Sequence, residues 1–293
     1  MDCKINIFFT LLYYNLFHFP LTKKEIFFRM ICLSDKHFVL TINDFDKCLN
    51  FLLRKKVVLV MNGFYSLWGI EKNIIERKKK EIIFSNFRFH EIELIKKVLN
   101  LIPFIKSSFL TGSSALHFSL IDDDYDLMVI VTKEKLWFVR FLLLIITTIM
   151  NRRRSYDKSG KKKWCLNILL EETHLIIPKE KRNLFSACQL SNMVFLTGDK
   201  SWKHFFIAKN YFWLKKYLLN LSNECCVKEE RKESNFLFFA WILLNKICFF
   251  CQWFFLKNKI SYEIVKKNQI FFHPQNRNIY FLDQILLFLK KKV

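Results

Sequence analysis

The sequence predicts an α+β protein, with a small mixed α/β core set between an N-terminal unit of helices and a β-hairpin and a C-terminal helical region. Three observations predict this. Apolar residues recur at helical spacing up to about residue 55, then two β-rich runs follow, joined by Asn62-Gly63. Between residues 104 and 178 strand-like and helix-like patterns alternate. From about residue 180 to the closing "LDQILLFLKKK" the spacing is helical again. An apolar share of 52% with 34 Phe over 293 residues supports a sizeable core and excludes a disordered chain.

A first amphipathic helix is expected over residues 4–17. "PLTKKEIF" starts a second, with Thr22 as N-cap and Glu25 as its capping-box partner. A third begins near Asn43, with Phe45, Cys48, Leu49, Leu52 and Leu53 on one face. The runs "VVLVM" and "FYSLW" then flank Asn62-Gly63 as a hairpin. Helices followed by a hairpin, in that order, make residues 1–70 a winged helix-turn-helix. Such a unit serves DNA binding, protein docking or dimerisation. The third helix offers Lys47, Arg54, Lys55 and Lys56 against Asp44 and Asp46, a poor set for reading base edges. Docking or accessory substrate contact is favoured, with DNA contact as the alternative.

Residues 71–103 continue as a linking helix that Pro103 ends, and the run "ERKKKE" is its solvated face. In the core, residues 104–178, strands are expected over 105–111, 125–132 and "WCLNILL", with "HLIIP" after it. Helices are expected over 113–120 and 134–150, and a Lys- and Arg-rich loop, "NRRRSYDKSGKKK", precedes the third strand. That loop suits a polyanionic acceptor or is simply solvated. Residues 179–293 form the helical C-terminal region, in which "TGDKSW" is a turn between helices.

A net charge of +22 favours phosphate-bearing partners, although the abundance of Lys, Asn, Phe and Ile also matches an A+T-rich coding sequence. The nine cysteines are scattered and fit reduced thiols in a cytoplasmic protein. "CFFC", Cys248 and Cys251, is a single pair, better explained by core packing on one helix face than by zinc. No transmembrane segment is expected: "LWFVRFLLLIITTIM" is short and holds Arg140, and "NFLFFAWILLNKICFFCQWFFL" carries Asn245, Lys246 and Gln252 at its middle. Both are expected as buried or interface helices, the second open to an interfacial membrane contact.

The stretch "FLTGSSALHFSLIDDDYDLMVIVT" carries the chemistry. Gly112 lets the backbone leave a strand and pass close to a ligand. Ser113 and Ser114 open a short helix whose amide groups suit nucleotide phosphates. Asp124 and Asp126 fall on one face of the next strand, with Tyr125 on the other. Adjacent carboxylates repel unless a cation sits between them, and Mg²⁺ prefers such oxygen ligands, completed by phosphates and water.

Gly112-Ser113, ten residues, then Asp124-x-Asp126 in an apolar strand resembles the signature of the DNA polymerase β-like nucleotidyltransferase superfamily, in particular its minimal members acting on antibiotics, proteins or RNA. "LFHFPLT", "IPFIKSSFLTGSSAL", "DDDYDLMVIV", "LWFVR", "CLNILLE" and "FFHPQ" also look like bacterial proteins that join such a domain to an N-terminal winged helix. The resemblance implies transfer of an NMP from ATP or another NTP to a hydroxyl of an RNA (tRNA) or protein acceptor. It gives Gly112, Ser113 and Ser114 to the triphosphate. Asp124 and Asp126 would be the catalytic, metal-binding pair, with two-metal Mg²⁺ chemistry open to them. Many family members add a third acid as general base. Here the matching strand holds Asn167, and an amide cannot act as a base. Glu171 or Glu172 could stand in, against the reading of an exposed polar strand end. Arg140 is a candidate phosphate contact or ion-pair partner. His117 is expected to pack, Asp122 and Asp123 belong to the loop, and His273 has no assigned role. The competing expectation is a non-catalytic winged-helix nucleic-acid-binding or regulatory protein with a degenerate core.

Overall fold

Helix α1 (Cys3–Leu16) buries Ile7, Leu11 and Tyr14 completely and forms the spine of the N-terminal unit. The computed structural model describes residues 3–16, 19–32, 40–68, 89–116, 124–153, 163–221, 236–258, 260–272, 279 and 283. Helix α2 (Lys23–Phe28) starts on the expected capping box. Thr22 N donates to Glu25 Oε2 at 2.8 Å, and Glu25 N donates to Thr22 Oγ1 at 3.3 Å. Helix α3 (Ile42–Arg54) begins a residue before Asn43, because Thr41 is its cap and accepts from Asp44 N at 3.1 Å. Phe45, Leu49 and Leu52 are its buried stripe, while Cys48 and Leu53 flank it.

Strands β2 (Val58–Met61) and β3 (Phe64–Leu67) form the expected hairpin. Asn62 at φ 55° and Gly63 at φ 79° supply the left-handed pair that matches strand twist in a two-residue turn. A two-residue strand before α2, β1 (Leu21–Thr22), was not expected; it pairs with β3 and makes the order β1-β3-β2.

Helix α4 (Phe89–Leu101) ends ahead of Pro103 as expected. Residues 69–88, including "ERKKKE", lie outside the described residues. Strand β4 (Ile105–Thr111) is antiparallel to β5 (Tyr125–Val131), which is parallel to β6 (Trp164–Glu171). A six-stranded sheet follows, in which β7 (Val194–Gly198), β8 (Ile264–Val265) and β9 (Gln269–Phe271) join these three central strands in the order β7-β4-β5-β6-β9-β8. Gly112–Ala115 is a single helical turn, α5, and α6 (Leu136–Ile149) crosses from β5 to β6. Both faces of the sheet are covered, which is why β5 reads as a near-continuous apolar run. Phe109, Met128, Ile130, Ile168 and Leu170 face the cluster shared with α1–α3. Leu110, Leu127, Val129 and Leu169 face the cluster shared with α4 and α6.

The C-terminal region departs from expectation. It holds α7 (Leu184–Ser191), α8 (Ser201–Leu214) and α9 (Phe236–Leu256), but also β7 (Val194–Gly198), β8 (Ile264–Val265) and β9 (Gln269–Phe271), which complete the sheet. "TGDKSW" is therefore not a turn between helices: Thr197 and Gly198 end a strand paired with β4. Gly198 is required there, since at φ +93° an added Cβ would lie 2.4 Å from the Lys106 carbonyl oxygen. "HLIIP" is not a strand either. Asn210 on α8 binds its backbone, accepting from Ile177 N and donating to Leu175 O, both at 2.9 Å.

The N-terminal unit is bonded to α7 and to the end of α8. Asn192 Nδ2 donates to Tyr14 Oη at 2.7 Å, Cys32 N to Tyr217 O at 2.8 Å, and Leu219 N to Met30 O at 2.9 Å. These contacts make it a docked wall of the core.

On the other face, α9 lies along α6. Asn245 Oδ1 accepts from Trp137 N at 2.9 Å and Phe138 N at 3.1 Å, capping α6. Gln252 donates to Trp137 O at 2.9 Å and accepts from Arg140. The polar residues that interrupt this apolar helix are thus its seams to α6. Among the described residues α9 is the one helix long and apolar enough to cross a membrane. Cys248 is buried but Cys251 is exposed, so core packing explains only half of "CFFC".

Candidate functional site

Thr111 ends β4 opposite Asp126 of β5, and its hydroxyl donates to the Asp126 carbonyl at 3.2 Å. The chain turns off the strand at Gly112, where φ is +66°, a conformation that disfavours side chains. Space demands glycine as well: an added Cβ would lie 2.3 Å from Asp126 Oδ2 and 3.2 Å from its Cγ. The Asp126 carboxylate therefore rests against the bare backbone of the Gly-Ser turn. Thr111 makes no side-chain cap to the turn that follows.

The two serines divide. Ser113 is half-buried at the opening. Ser114 is fully buried and its hydroxyl donates to the Asp124 carbonyl at 2.9 Å, which ties the turn to the start of β5. Tyr125 is completely buried in the cluster beneath α6, so strand alternation places Asp124 and Asp126 together on the opposite face. Both acids are half-buried.

Across β5, the residue in register with Asp126 is Cys165, and the register slips immediately afterwards, between Leu127 and Met128. Asn167 occupies that irregularity, buried, accepting from Cys165 Sγ at 2.8 Å through Oδ1. The strand position that the resemblance matches to a third acid is thus filled by an amide bonded to a thiol. Glu171 is no substitute. It pairs with Val131, five residues along β5 from Asp126, which is roughly 16 Å by strand rise. Nor is it an exposed strand end: it is buried and accepts from Glu134 N at 3.0 Å, just before α6. Burial pushes its pKa up to about 7, against the lowering effect of that backbone hydrogen bond. Glu172 accepts from Lys133 N at 3.0 Å and pairs with Lys106 at 3.6 Å at the same far end.

Arg140 is likewise elsewhere. It donates to Gln252 and lies over the rings of Phe272, at 4.9 Å, and Trp137, at 5.7 Å, in the seam between α6 and α9. In the basic loop, Arg152 is bound to Glu91 of α4 at 2.7 Å, and Glu91 also accepts from Trp164 Nε1 at 2.8 Å. That arginine is structural; residues 154–162 of the loop, like His117, Asp122, Asp123 and His273, lie outside the described residues.

Among the described residues no group of three or more His, Cys, Asp and Glu is arranged to hold a metal. Two neighbouring carboxylates beside a backbone cradle nevertheless fit Mg²⁺ of the kind that arrives with a nucleotide, which takes one or two carboxylates and completes its shell with phosphates and water. Thr111 and Cys165 are the neighbours that sequence reasoning missed. Thr111 directly precedes Gly112, and Cys165 sits two before Asn167, but only the pairing register puts them beside Asp126. No family model matches the chain, nor does any curated protein or solved structure.

Proposed function

We propose that the chain is a Mg²⁺-dependent nucleotidyltransferase of the polymerase β-like kind, with residues 1–70 as a winged-helix wall docked on its core. The observation that carries this reading is the contact of the Asp126 carboxylate with Gly112, with Asp124 on the same strand face. It joins an anion-accepting turn to an acid pair within one short connection. The Gly112-Ser113 turn would receive the β- and γ-phosphates of an NTP. Bound Mg²⁺ would offset the charge of the pair and of the phosphates. Asp124 and Asp126 would be the residues that hold this Mg²⁺. The acceptor oxygen forms a bond to the α-phosphorus, the bond to the bridging oxygen breaks, and pyrophosphate leaves. The acceptor proton goes to water or to the substrate itself, because Asn167 cannot take it. The charge of +22 favours RNA over protein as acceptor.

A second reading is favoured by Asn167 alone: a core that binds nucleotide without transferring it. Incubation with α-³²P-labelled NTPs, Mg²⁺ and either total tRNA or cell extract separates the two. Label on RNA or protein that disappears in Asp124→Ala/Asp126→Ala supports the transferase. Mg²⁺-dependent nucleotide binding with no label under any condition supports the binding module.

A further inference from the structure

Among the described residues, helix α9 turns one face to the core and the other to solvent. Asn245, Cys248, Gln252 and Leu256 turn toward the core and are buried. The opposite face carries Leu243, Ile247, Phe250 and Phe254, spaced by four, three and four residues and each between 52% and 65% exposed. That spacing makes a continuous apolar stripe of roughly 16 Å at 1.5 Å per residue. Scattered exposed apolar residues need no explanation, but an unbroken stripe marks a contact surface.

The charge around the stripe has one sign. Across residues 236–272 the only acidic residue is Glu263, which is buried and accepts from Ser261 N at 2.7 Å. Against it stand Lys246, Lys257, Lys259, Lys266 and Lys267. Lys246, Lys257, Lys266 and Lys267 are exposed, and Lys259 lies outside the described residues. The Lys266-Lys267 turn is held near α9: the Lys267 carbonyl accepts from Trp137 Nε1 at 2.8 Å, and the Trp137 ring packs 4.9 Å from that of Phe249.

We propose that α9 is an interfacial helix that lies flat on an anionic lipid surface, its phenylalanine stripe in the acyl boundary and its lysines among the headgroup phosphates. A helix with one long apolar face flanked by lysine binds such surfaces by apolar burial and by charge together. It does not cross the bilayer, because Asn245 and Gln252 hold it along α6, and drawing it into lipid would strand both amides and the Arg140 guanidinium. Pairing with a second copy would bring lysine toward lysine in a chain of charge +22. The proposal stands apart from the nucleotide chemistry at Gly112 and Asp126.

Co-sedimentation of the full chain with phosphatidylcholine vesicles, with and without phosphatidylglycerol, tests it, beside Phe250→Glu/Phe254→Glu and Lys257→Glu/Lys266→Glu variants. All of these side chains are exposed, so circular dichroism and Tm should match the wild type. The wild type is expected on anionic vesicles, with partition falling about tenfold on neutral vesicles and in each double variant, and falling at high salt. Absence of wild-type partition would overturn the proposal. So would full retention by the phenylalanine variant, which would mean attraction by net charge alone. A dimer in light scattering that this variant dissociates, with no vesicle binding, would assign the stripe to a second copy instead.

Discussion

Strands β5 and β6 run in parallel, and both of their ends carry carboxylates, yet the ends differ in kind. At one end Asp124 and Asp126 are half-buried, with the Asp126 carboxylate beside the Gly112 backbone. At the other, Glu171 is buried beneath the loop that enters α6 and accepts from Glu134 N. The second carboxylate has its hydrogen bond supplied by the fold and closes the approach to a helix. The first pair lies two residues apart at the start of β5, half-buried rather than closed off beneath a helix entrance. An acid on a strand is therefore not a ligand by residue type; what surrounds it decides.

The strongest way to sharpen this contrast is to remove charge from each end in turn. Asp126→Asn should lower Mg²⁺-dependent nucleotide transfer on the order of a hundredfold or more while leaving Tm equal or slightly raised, since like charge is relieved. Activity assay and calorimetry on the same preparation check both halves. Glu171→Gln should leave nucleotide chemistry intact and change the pH dependence of stability. The folded pKa of Glu171, about 7, lies above its ordinary value of 4.5. Its contribution to stability is therefore fully present below about pH 4.5 and is lost as pH rises through about 7, by up to about 3 kcal/mol. Urea unfolding from pH 4.5 to 8 should show the wild type losing stability across that window and the variant running flatter.

Gly112→Ala should cost about 1–2 kcal/mol through its left-handed backbone and should weaken nucleotide binding further by pushing the Asp126 carboxylate aside. Gly198→Ala, which meets backbone rather than a side chain, should match or exceed that loss of stability with nucleotide affinity unchanged in the remaining folded protein. Asn167→Asp is the smallest of the effects: with an acid at the β6 irregularity, Mg²⁺ affinity should rise several-fold by titration, because the site gains a hard oxygen ligand.

Much of this was legible where a feature is local. The Thr22–Glu25 box, the Asn62-Gly63 hairpin and the Gly112 exit from β4 each depend on residues close in sequence, and each stands where expected. What escaped depends on distant pairing. Strand β7 is a short apolar run between helical patterns, and only its partner β4, some ninety residues earlier, makes it a strand. Strands β8 and β9 are two and three residues long, below any periodic signal. Arg140 could not be assigned because its partner, Gln252, is 112 positions away. The irregularity at Asn167 belongs to the register between strands, which no single strand's sequence encodes. The placing of Asp124 and Asp126 at the start of β5 was therefore readable, while their cross-strand neighbours were not.

Equilibrium binding of an NTP to the wild type and to Asp126→Asn, with and without Mg²⁺, probes the acid pair itself. Binding should require the metal and fall about tenfold or more in the variant at unchanged Tm. Equal binding by the two proteins, or binding indifferent to Mg²⁺, would mean that Asp126 holds no metal for a nucleotide.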